Sequence, residues 1–281
     1  MIAICPNPYR DLDLKLSLKA KQLLEEAGFE TCICPVFADG DDDVIPDGVE
    51  IRSLAQVREQ CSLLVVIGGD GTILSVARGL HELPVPLLGV NMGTKGFLAN
   101  LEPADLPLIV KAARGEYQIS RRMTLNVDLQ RNGEVILQDH ALNDVVLHGY
   151  GDCIVINAWC EGDRITRFSG DGVILSTPTG STGYSMSAGG PIVEPSAQAI
   201  ILSPICAHML GARTFVFSAE RTVTVRAEKL NSRKAYLSVD GNSVADLCSG
   251  DTIVVRRSPH PVLMADLGLR SFYEIAYEKL T

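Results

Sequence analysis

A glycine-rich turn between an apolar run and a helix-capable segment is the feature that most restricts the fold of this chain. Residues 63–67 read Leu-Leu-Val-Val-Ile, residues 68–72 read Gly-Gly-Asp-Gly-Thr, and residues 73–80 are helix-capable. A buried strand, a tight turn and a helix in this order are the repeating unit of α/β layers. The sequence therefore predicts an α/β layer around this turn.

The segments before this turn repeat the same alternation. Residues 2–5 and 29–34 are apolar runs, and residues 16–27 between them carry apolar side chains at helical spacing. Leucines at alternate positions from 12 to 18 would also suit a strand, but the length of the periodic segment and Gly28 behind it favour a helix. We therefore predict an N-terminal α/β domain with a parallel sheet.

The pattern changes after Gly115. Short β-branched and alternating segments follow one another, separated by turns such as Asn132-Gly133. We predict an N-terminal α/β domain over residues 1–116 and a mainly β domain over residues 117–261. The sequence leaves the packing of the C-terminal segment 262–281 open, a return to the N-terminal domain being one alternative.

Composition excludes several classes of partner. The chain has 34 acidic and 25 basic residues and a net charge of -9, so it lacks the broad positive field of nucleic-acid-binding proteins. Its apolar runs are far shorter than the roughly 20 residues of a membrane span, and the N-terminus lacks the basic leader of a signal peptide. We expect a cytoplasmic protein with neither nucleic-acid nor membrane partners.

The 8 cysteines include no CxxC pair, and several lie in apolar runs that resemble strands. Reduced cysteine behaves there as a small hydrophobic residue. Cys32 and Cys34 would lie on one face of a strand, but no clustered histidines complete a zinc site. We therefore expect core thiols and assign no metal ligands.

The turn at residues 68–72 predicts an anion site. Glycines let backbone N–H groups approach a phosphate, and the following helix N-terminus adds partial positive charge. No Gly-Lys-Ser/Thr follows, so this is not a Walker loop. Asp70 would repel a phosphate unless it accepts a hydroxyl proton or holds Mg²⁺, and its alternative role is that of a helix cap.

Three further segments carry polar and glycine residues. Residues 89–98 form a second glycine-rich loop after an apolar run, which suits either a ligand site at a strand end or ordinary tight turns. Residues 170–191 are dense in glycine and hydroxyl side chains, and Tyr184 offers a ring for stacking. Asn143-Asp144 offers an amide for a base edge and a carboxylate for a ribose diol, or forms a turn.

Together these segments resemble the NAD kinase family over residues 7–240. The element at residues 68–72 alone is shared with lipid kinases and loosely with phosphofructokinases. Its combination with residues 91–98, Leu142-Asn143-Asp144 and residues 171–191 is similar to NAD kinases only. The resemblance implies an α/β N-terminal domain, a mainly β, sandwich-like C-terminal domain, and a homodimer or homotetramer.

The resemblance also implies an activity. An NAD kinase transfers the γ-phosphoryl group of ATP to the 2′-hydroxyl of the adenosine ribose of NAD and so makes NADP, with Mg²⁺ or another divalent metal accompanying ATP. In this chain Asp70 would be the base for that hydroxyl. The implied substrate contacts are Gly71, Thr72, Phe97, Leu98, Asn143, Asp144, Asp171, Thr179, Thr182, Tyr184 and Ser187.

Two other functions would use related residues. A catalytically silent NAD(P)-binding sensor would be marked by loss of Asp70 or its glycines, and all of these are present. A lipid kinase with the same core does not account for Asn143-Asp144 or for residues 179–187. The sequence leaves open whether ATP, another triphosphate or polyphosphate is the donor, and whether NADH is also accepted.

Overall fold

The computed structural model describes residues 1–36, 45–80, 82–93, 96–99, 101–209, 211–228, 230 and 233–280. The chain divides into two compact units. The first unit comprises Met1–Arg121 and His260–Thr281, and the second comprises Arg122–Pro259.

The first unit contains one sheet and five of the α-helices in the described part of the chain. The strands of the sheet are β1 (Ile2–Pro6), β2 (Thr31–Ile33), β3 (Leu63–Gly68), β4 (Leu87–Asn91), β5 (Gln118–Arg122) and β18 (Val262–Asp266). The helices are α1 (Lys15–Glu26), α2 (Leu54–Val57), α3 (Asp70–Leu80), α4 (Ile109–Ala113) and α6 (Phe272–Leu280).

The sheet of the first unit has the strand order β2-β1-β3-β4-β18-β5. The pairs β1·β2, β1·β3, β3·β4 and β4·β18 are all parallel. β1, β3 and β4 are buried along their whole length, as expected for strands covered on both faces. The predicted α/β layer is confirmed, and its strands from β2 to β18 pair in parallel as expected.

The segment with two alternating patterns is a helix, α1, as predicted. The Asp11 carboxylate accepts hydrogen bonds from the N–H groups of Leu16 and Ser17, both at 2.9 Å, and so stabilises the start of the helix. At the other end Gly28 adopts a φ of 87°, and the N–H of Phe29 returns to the carbonyl oxygen of Leu24. Phe29 therefore closes the helix, and strand β2 begins only at Thr31.

The second unit consists mainly of strands. They are β6 (Leu125–Arg131), β7 (Glu134–Ala141), β8 (Asp144–Gly149), β9 (Ile154–Cys160), β10 (Asp163–Gly170), β11 (Gly172–Ser176), β12 (Ala199–Ile205), β13 (Phe215–Ser218), β14 (Val223–Glu228), β15 (Ala235–Val239), β16 (Asn242–Leu247) and β17 (Thr252–Arg257). The one α-helix among its described residues is α5 (Tyr184–Ser187).

These strands form two six-stranded sheets, ordered β10-β9-β14-β17-β6-β7 and β13-β12-β11-β8-β15-β16. Their strand pairs are antiparallel. Leu125 and Val223 of the first sheet belong to one core cluster with Val145 and Leu237 of the second, so the sheets pack face to face. The mainly β, sandwich-like fold is confirmed.

Strand β8 has two different faces. Val145 and Leu147 point into the sandwich core, whereas Val146 belongs to a separate cluster with Ile174, against which Ala188 packs. Side chains alternate along a strand, so Asp144 lies on the same face as Val146. The outer face of this sheet therefore carries Asp144 together with the segment that contains α5.

The expectation of core thiols is right for one group of cysteines and wrong for another. Cys5, Cys32, Cys34 and Cys61 of the first unit are buried. In the second unit, by contrast, Cys153 and Cys160 are half-buried, and Cys206 and Cys248, which directly follow β12 and β16, are exposed.

The described residues contain no group of three or more His, Cys, Asp or Glu side chains arranged to hold a metal ion. No described helix combines the length and the apolar character needed to cross a bilayer.

Candidate active site

Asp70 is the first residue of α3, directly after the glycine turn. Its carboxylate accepts hydrogen bonds from the backbone N–H groups of Phe97 (3.0 Å) and Leu98 (3.2 Å). The start of the helix is bonded elsewhere, because the N–H of Thr72 donates to the carbonyl oxygen of Gly69. The alternative role of Asp70 as a helix cap is therefore wrong, since its partners lie 27 and 28 residues further along the chain.

The surroundings of Asp70 change its acidity. Burial raises the pKa of the carboxyl group above its ordinary value, while the N–H bonds of Phe97 and Leu98 and the positive charge of Lys279 act in the opposite direction. A more basic carboxylate accepts a proton from a hydroxyl more readily. The geometry therefore suits proton acceptance.

The glycines next to Asp70 serve different purposes. A Cβ on Gly68 would lie 2.4 Å from the Thr72 hydroxyl oxygen, so this glycine lets the buried Thr72 pack against the turn. The same oxygen accepts a hydrogen bond from Asn7 Nδ2 at 3.2 Å. Gly71, by contrast, is exposed, and a Cβ there would have no neighbour within 4 Å. Packing does not explain Gly71, whereas an anion approaching the helix N-terminus would.

Arg10 brings a positive charge to this turn. Its Nη1 donates to the carbonyl oxygen of Met92 at 3.4 Å. A Cβ on Gly69 would lie 3.9 Å from its Nε, and one on Gly93 would lie 3.6 Å from its Nη1. Arg10 is exposed and has no ion-pair partner among the described residues. Its guanidinium is therefore available to an anion.

Asn91, the last residue of β4, organises the second glycine-rich loop. Its Oδ1 accepts a hydrogen bond from the N–H of Gly93 at 2.9 Å, and its Nδ2 donates to Glu102 Oε1 at 3.3 Å. A Cβ on Gly96 would lie 2.9 Å from the Asn91 side chain, so the loop needs glycine there. Residues 94–95 of this loop lie outside the described residues.

In the second unit, Asn143 and Asp144 lie at the start of β8. The Asp240 carboxylate accepts hydrogen bonds from three successive N–H groups, those of Leu142 (2.8 Å), Asn143 (2.7 Å) and Asp144 (3.0 Å). Asp144 is buried and lies opposite Ser176 in the pairing of β8 with β11. The backbone of Asn143 and Asp144 is therefore held in place by the Asp240 carboxylate and by the pairing of β8 with β11.

Residues 177–183 fold onto the same segment. Thr177 Oγ1 donates to the carbonyl oxygen of Leu142 at 2.6 Å and accepts a hydrogen bond from the N–H of Gly180 at 3.0 Å. A Cβ on Gly180 would lie 2.1 Å from the carbonyl oxygen of Asn143, a distance that no side chain can adopt. Gly180 therefore allows this loop to contact Asn143.

Three buried oxygens around this contact lack a partner. Asn143 Oδ1, Ser176 Oγ and Thr179 Oγ1 accept or donate no hydrogen bond within the described part of the chain. Ser176 is 0% and Thr179 is 5% exposed. Buried polar atoms are nearly always hydrogen-bonded, so three such atoms on adjoining segments indicate a site that a polar ligand completes.

The acidity of Asp144 follows from its position. Burial raises its pKa to about 7, and the negative charge of Asp240 adds to the rise. Burial also raises the pKa of Asp240, against the three N–H bonds and the positive charge of His140. Near neutral pH Asp144 therefore changes between a proton-donating acid and a carboxylate acceptor.

Three further predicted contacts, Thr182, Tyr184 and Ser187, differ in their exposure. Thr182 adjoins the Asn143 contact, where its hydroxyl donates to the carbonyl oxygen of Thr179 at 3.3 Å. Tyr184 and Ser187 are exposed on α5, so the Tyr184 ring is open to a stacking partner.

Asp171 lies further along the sheet, and its charge acts on Tyr184 of α5, as that of Asp144 does. It precedes β11, whereas Ser176, which pairs with Asp144, ends the same strand, about 17 Å away along an extended chain. The Asp171 carboxylate is hydrogen-bonded to the Cys206 thiol and raises the pKa of that thiol.

Four residues of these clusters were not identified from the sequence, namely Asn7, Arg10, Ser176 and Asp240. Arg10 follows the C-terminal end of β1, an edge where parallel strands gather ligand contacts, and that rule would have singled it out. Asp240 precedes Gly241 and looks in the sequence like an ordinary hairpin turn.

Comparison with known proteins gives a consistent result. The model of the ATP-NAD kinase N-terminal domain matches residues 15–114, and that of the ATP-NAD kinase C-terminal domain matches residues 142–267. An NAD kinase of Geobacter sulfurreducens is 37% identical over 86% of this chain and 83% of its own length. An NAD kinase of Acetivibrio thermocellus is 33% identical over 99% of this chain and 96% of its own.

Solved structures are similar over the whole chain. Yeast NADH kinase complexed with NADH has a TM-score of 0.85 at 25% identity, covering 99% of this chain and 86% of that one. An NAD kinase from Archaeoglobus fulgidus in complex with ATP has a TM-score of 0.76 at 26% identity, covering 100% and 98%. The resemblance stated from the sequence is confirmed: the chain belongs to the NAD kinase family.

Proposed function

We propose that the two clusters carry out the phosphorylation of NAD at the 2′-hydroxyl of its adenosine ribose. Asp70 and the bare backbone around it serve the phosphoryl donor and the proton transfer, and the cluster around Asn143 and Asp144 holds the adenosine. The observation that carries this proposal is the Asp70 carboxylate, which the N–H groups of Phe97 and Leu98 hold at the start of α3.

Phosphoryl transfer mainly requires that the protein position the reactants and neutralise their charge. In phosphoryl transfer the attacking oxygen approaches the γ-phosphorus in line with the leaving oxygen, and catalysis comes from positioning and electrostatic stabilisation. Asp70 accepts the 2′-hydroxyl proton as the new O–P bond forms. Its raised pKa supports this role, because the acceptor is then more basic than an exposed aspartate.

The donor phosphates require positive charge and N–H groups. Gly71 and Thr72 supply backbone at the N-terminal turn of α3, and the Arg10 guanidinium lies against Gly69 and Gly93. Arg10 therefore supplies the cation that a Walker lysine supplies in other kinases.

A divalent metal fits this arrangement as a companion of the donor. The described residues offer no cluster that would cage a metal by itself, and Mg²⁺ is commonly held by one or two carboxylates together with substrate phosphates. Asp70 is the carboxylate available at the turn. When bound, the metal would neutralise charge on the phosphates.

The acceptor site is supported by its unsatisfied polar atoms. Asn143 Oδ1, Ser176 Oγ and Thr179 Oγ1 are the buried oxygens that a nucleoside would satisfy. Asn143 and Asp144 offer the amide and carboxyl groups for the base and ribose. Phe97, Asp171, Thr182, Tyr184 and Ser187 stay in the proposal as further nucleotide contacts.

Replacement of Asp70 tests the base. We expect Asp70→Asn to keep the fold and to bind NAD, and to lower turnover by about 10² to 10⁴, because the amide cannot accept the proton. Asp13→Asn, an exposed change in the same unit, should leave turnover unchanged. NADP formation from NAD and Mg-ATP, with NAD affinity and melting temperature measured alongside, gives the answer. Full activity of Asp70→Asn would remove it from the base role.

A substrate panel separates the proposed enzyme from a silent sensor. Purified protein should form NADP from NAD and Mg-ATP, and the same assay with other triphosphates, polyphosphate and NADH defines the donor and acceptor range. Tight NAD binding without any product would favour the sensor instead.

We also propose a cytoplasmic homodimer or homotetramer. The free thiols support the location, since reduced cysteines are typical of reducing compartments, and the resemblance to the family supports the assembly. Cell fractionation and light scattering of the purified protein test the two statements.

A further inference from the structure

A tight hairpin turn, Asp240-Gly241, lies next to the proposed adenosine site. It joins β15 to β16, whose residues Val239 and Asn242 pair across it. The two turn residues have positive φ angles of 47° and 81°, as the favoured two-residue hairpin turns require. Aspartate is among the few non-glycine residues that adopt this conformation readily. The turn conformation alone therefore explains why an aspartate is found at position 240.

The Asp240 side chain does more than the turn requires. One carboxylate oxygen accepts hydrogen bonds from the N–H groups of both Asn143 and Asp144, and the other accepts one from Leu142. The N–H of Asp240 in turn donates to the carbonyl oxygen of Asp144 at 2.9 Å. Four hydrogen bonds thus join one turn residue to the three residues that lead into β8.

A comparable turn elsewhere shows that such a clamp is not a general property of these hairpins. Glu161, before Gly162, has a φ of 53° in the turn between β9 and β10. Its carboxylate accepts one backbone hydrogen bond, from the N–H of Thr222 at 2.7 Å. The two turns have similar backbone conformations, but the Asp240 carboxylate accepts three backbone hydrogen bonds and the Glu161 carboxylate accepts one.

Asp240 also acts on Asp144 through its charge. The two carboxyl groups are close enough for the negative charge of Asp240 to make Asp144 harder to ionise. Two further titratable groups interact with this pair: His140 of β7 acts on Asp240, and Tyr184 of α5 interacts with Asp144. Asp240 is the group among these that adds to the effect of burial on Asp144.

We propose that Asp240 is a positioning residue for nucleotide binding: its carboxylate fixes the backbone of Asn143 and Asp144. The inference rests on the proposed function, in which Asn143 and Asp144 hold the adenosine of NAD. Asp240 itself needs no contact with the substrate.

Asp240→Asn tests this role. Asparagine suits the left-handed turn, so the hairpin is kept, while the amide group loses one acceptor and the negative charge. We expect KM for NAD to rise about tenfold, with a smaller change in kcat. The pH dependence of KM for NAD should inflect near pH 7 in the parent protein, and this inflection should move to lower pH in the variant. Glu161→Gln, the matched turn, should change neither quantity.

Further variants keep the result interpretable. If Asp240→Asn melts below the assay temperature, Asp240→Gly decides, because glycine also suits the left-handed turn and removes the carboxylate. An unchanged KM for NAD and an unchanged pH profile in a folded Asp240→Asn or Asp240→Gly overturn the inference.

Asn143→Ala separates this outcome from failure of the proposed site. A normal KM for NAD in Asn143→Ala would refute the adenosine site itself. A raised KM there, beside a parent-like Asp240→Asn, would refute only the role of Asp240.

Discussion

Arg10 is a positive charge without an ion-pair partner among the described residues, set against two glycines of the nucleotide loops. We expect Arg10→Ala to raise KM for ATP about tenfold or more, because a hydrogen bond to a charged group contributes about 1.5–3 kcal/mol. The melting temperature should hardly change, since the side chain is exposed. Arg114→Ala, an exposed change in the same unit, is the control, and equal KM values for the two variants would contradict the role.

The raised pKa of Asp144 predicts that the stability of the protein depends on pH. Its pKa is about 7 in the folded protein and about 3.9 in an unfolded chain, so between these values the folded state holds the proton more tightly. The stability linked to this proton is fully present below about pH 4 and is lost as the pH rises through 7. Asp144→Asn avoids the buried charge and should be more stable than the parent at pH 8, by about 2–4 kcal/mol.

Thermal unfolding at several pH values checks this expectation. The difference between Asp144→Asn and the parent should be small at pH 4.5 and should grow steadily towards pH 8. Curves that run parallel over this range would show that Asp144 titrates normally.

At the scale of the element, the glycine turn before α3 combines a packing role with a functional one. Gly71→Ala meets no neighbour and lies in a helix, so it should keep or raise stability, by up to about 1 kcal/mol. It should nevertheless lower kcat/KM for ATP at least about tenfold, because a methyl group would stand where the phosphate approaches the backbone.

Gly68→Ala is the contrasting change in the same turn. Its Cβ would lie 2.4 Å from the Thr72 hydroxyl oxygen, so the protein should lose about 1–3 kcal/mol of stability. Chemical denaturation and ATP kinetics of both variants distinguish the two roles. Parent-like kinetics in Gly71→Ala would show that no phosphate approaches this position.

The bounds of the elements show where local patterns suffice. The apolar spacing of α1 and the glycine behind it predicted that helix, because both signals act within a few residues. Helix α3 begins at Asp70, three residues before the apolar pattern that predicts it, because the carbonyl oxygen of Gly69 already accepts the first helical hydrogen bonds. Such boundaries depend on backbone bonds that composition does not reveal.

At the scale of the whole molecule, the C-terminal segment completes the sheet of the first unit. Strand β18 lies between β4 and β5, and its Met264 pairs with Leu87 and is 2% exposed. We expect Met264→Ala to lower the stability of the first unit by about 2–5 kcal/mol through loss of buried surface and a cavity. Met209→Ala is the control, since that side chain is 52% exposed and should change stability by less than about 0.5 kcal/mol.

Denaturant unfolding of both methionine variants measures these values. The NAD affinity of both variants should be measured as well, because Met264 lies outside the second unit, which contains the proposed adenosine site. Equal stability of the two variants would mean that the sheet does not depend on β18.

The sequence by itself determined the layered fold and the residues that form the glycine turns, because strand and helix periodicity and glycine conformations are local properties. It also determined the family, through motifs that stay together along the chain. Only the tertiary structure decided what the side chains do. Asp70 finds its partners 27 and 28 residues away, Arg10 reaches Met92 across 82 residues, and Asp240 holds Asn143 across 97. Such contacts are made when distant segments pack together, and no local pattern encodes them.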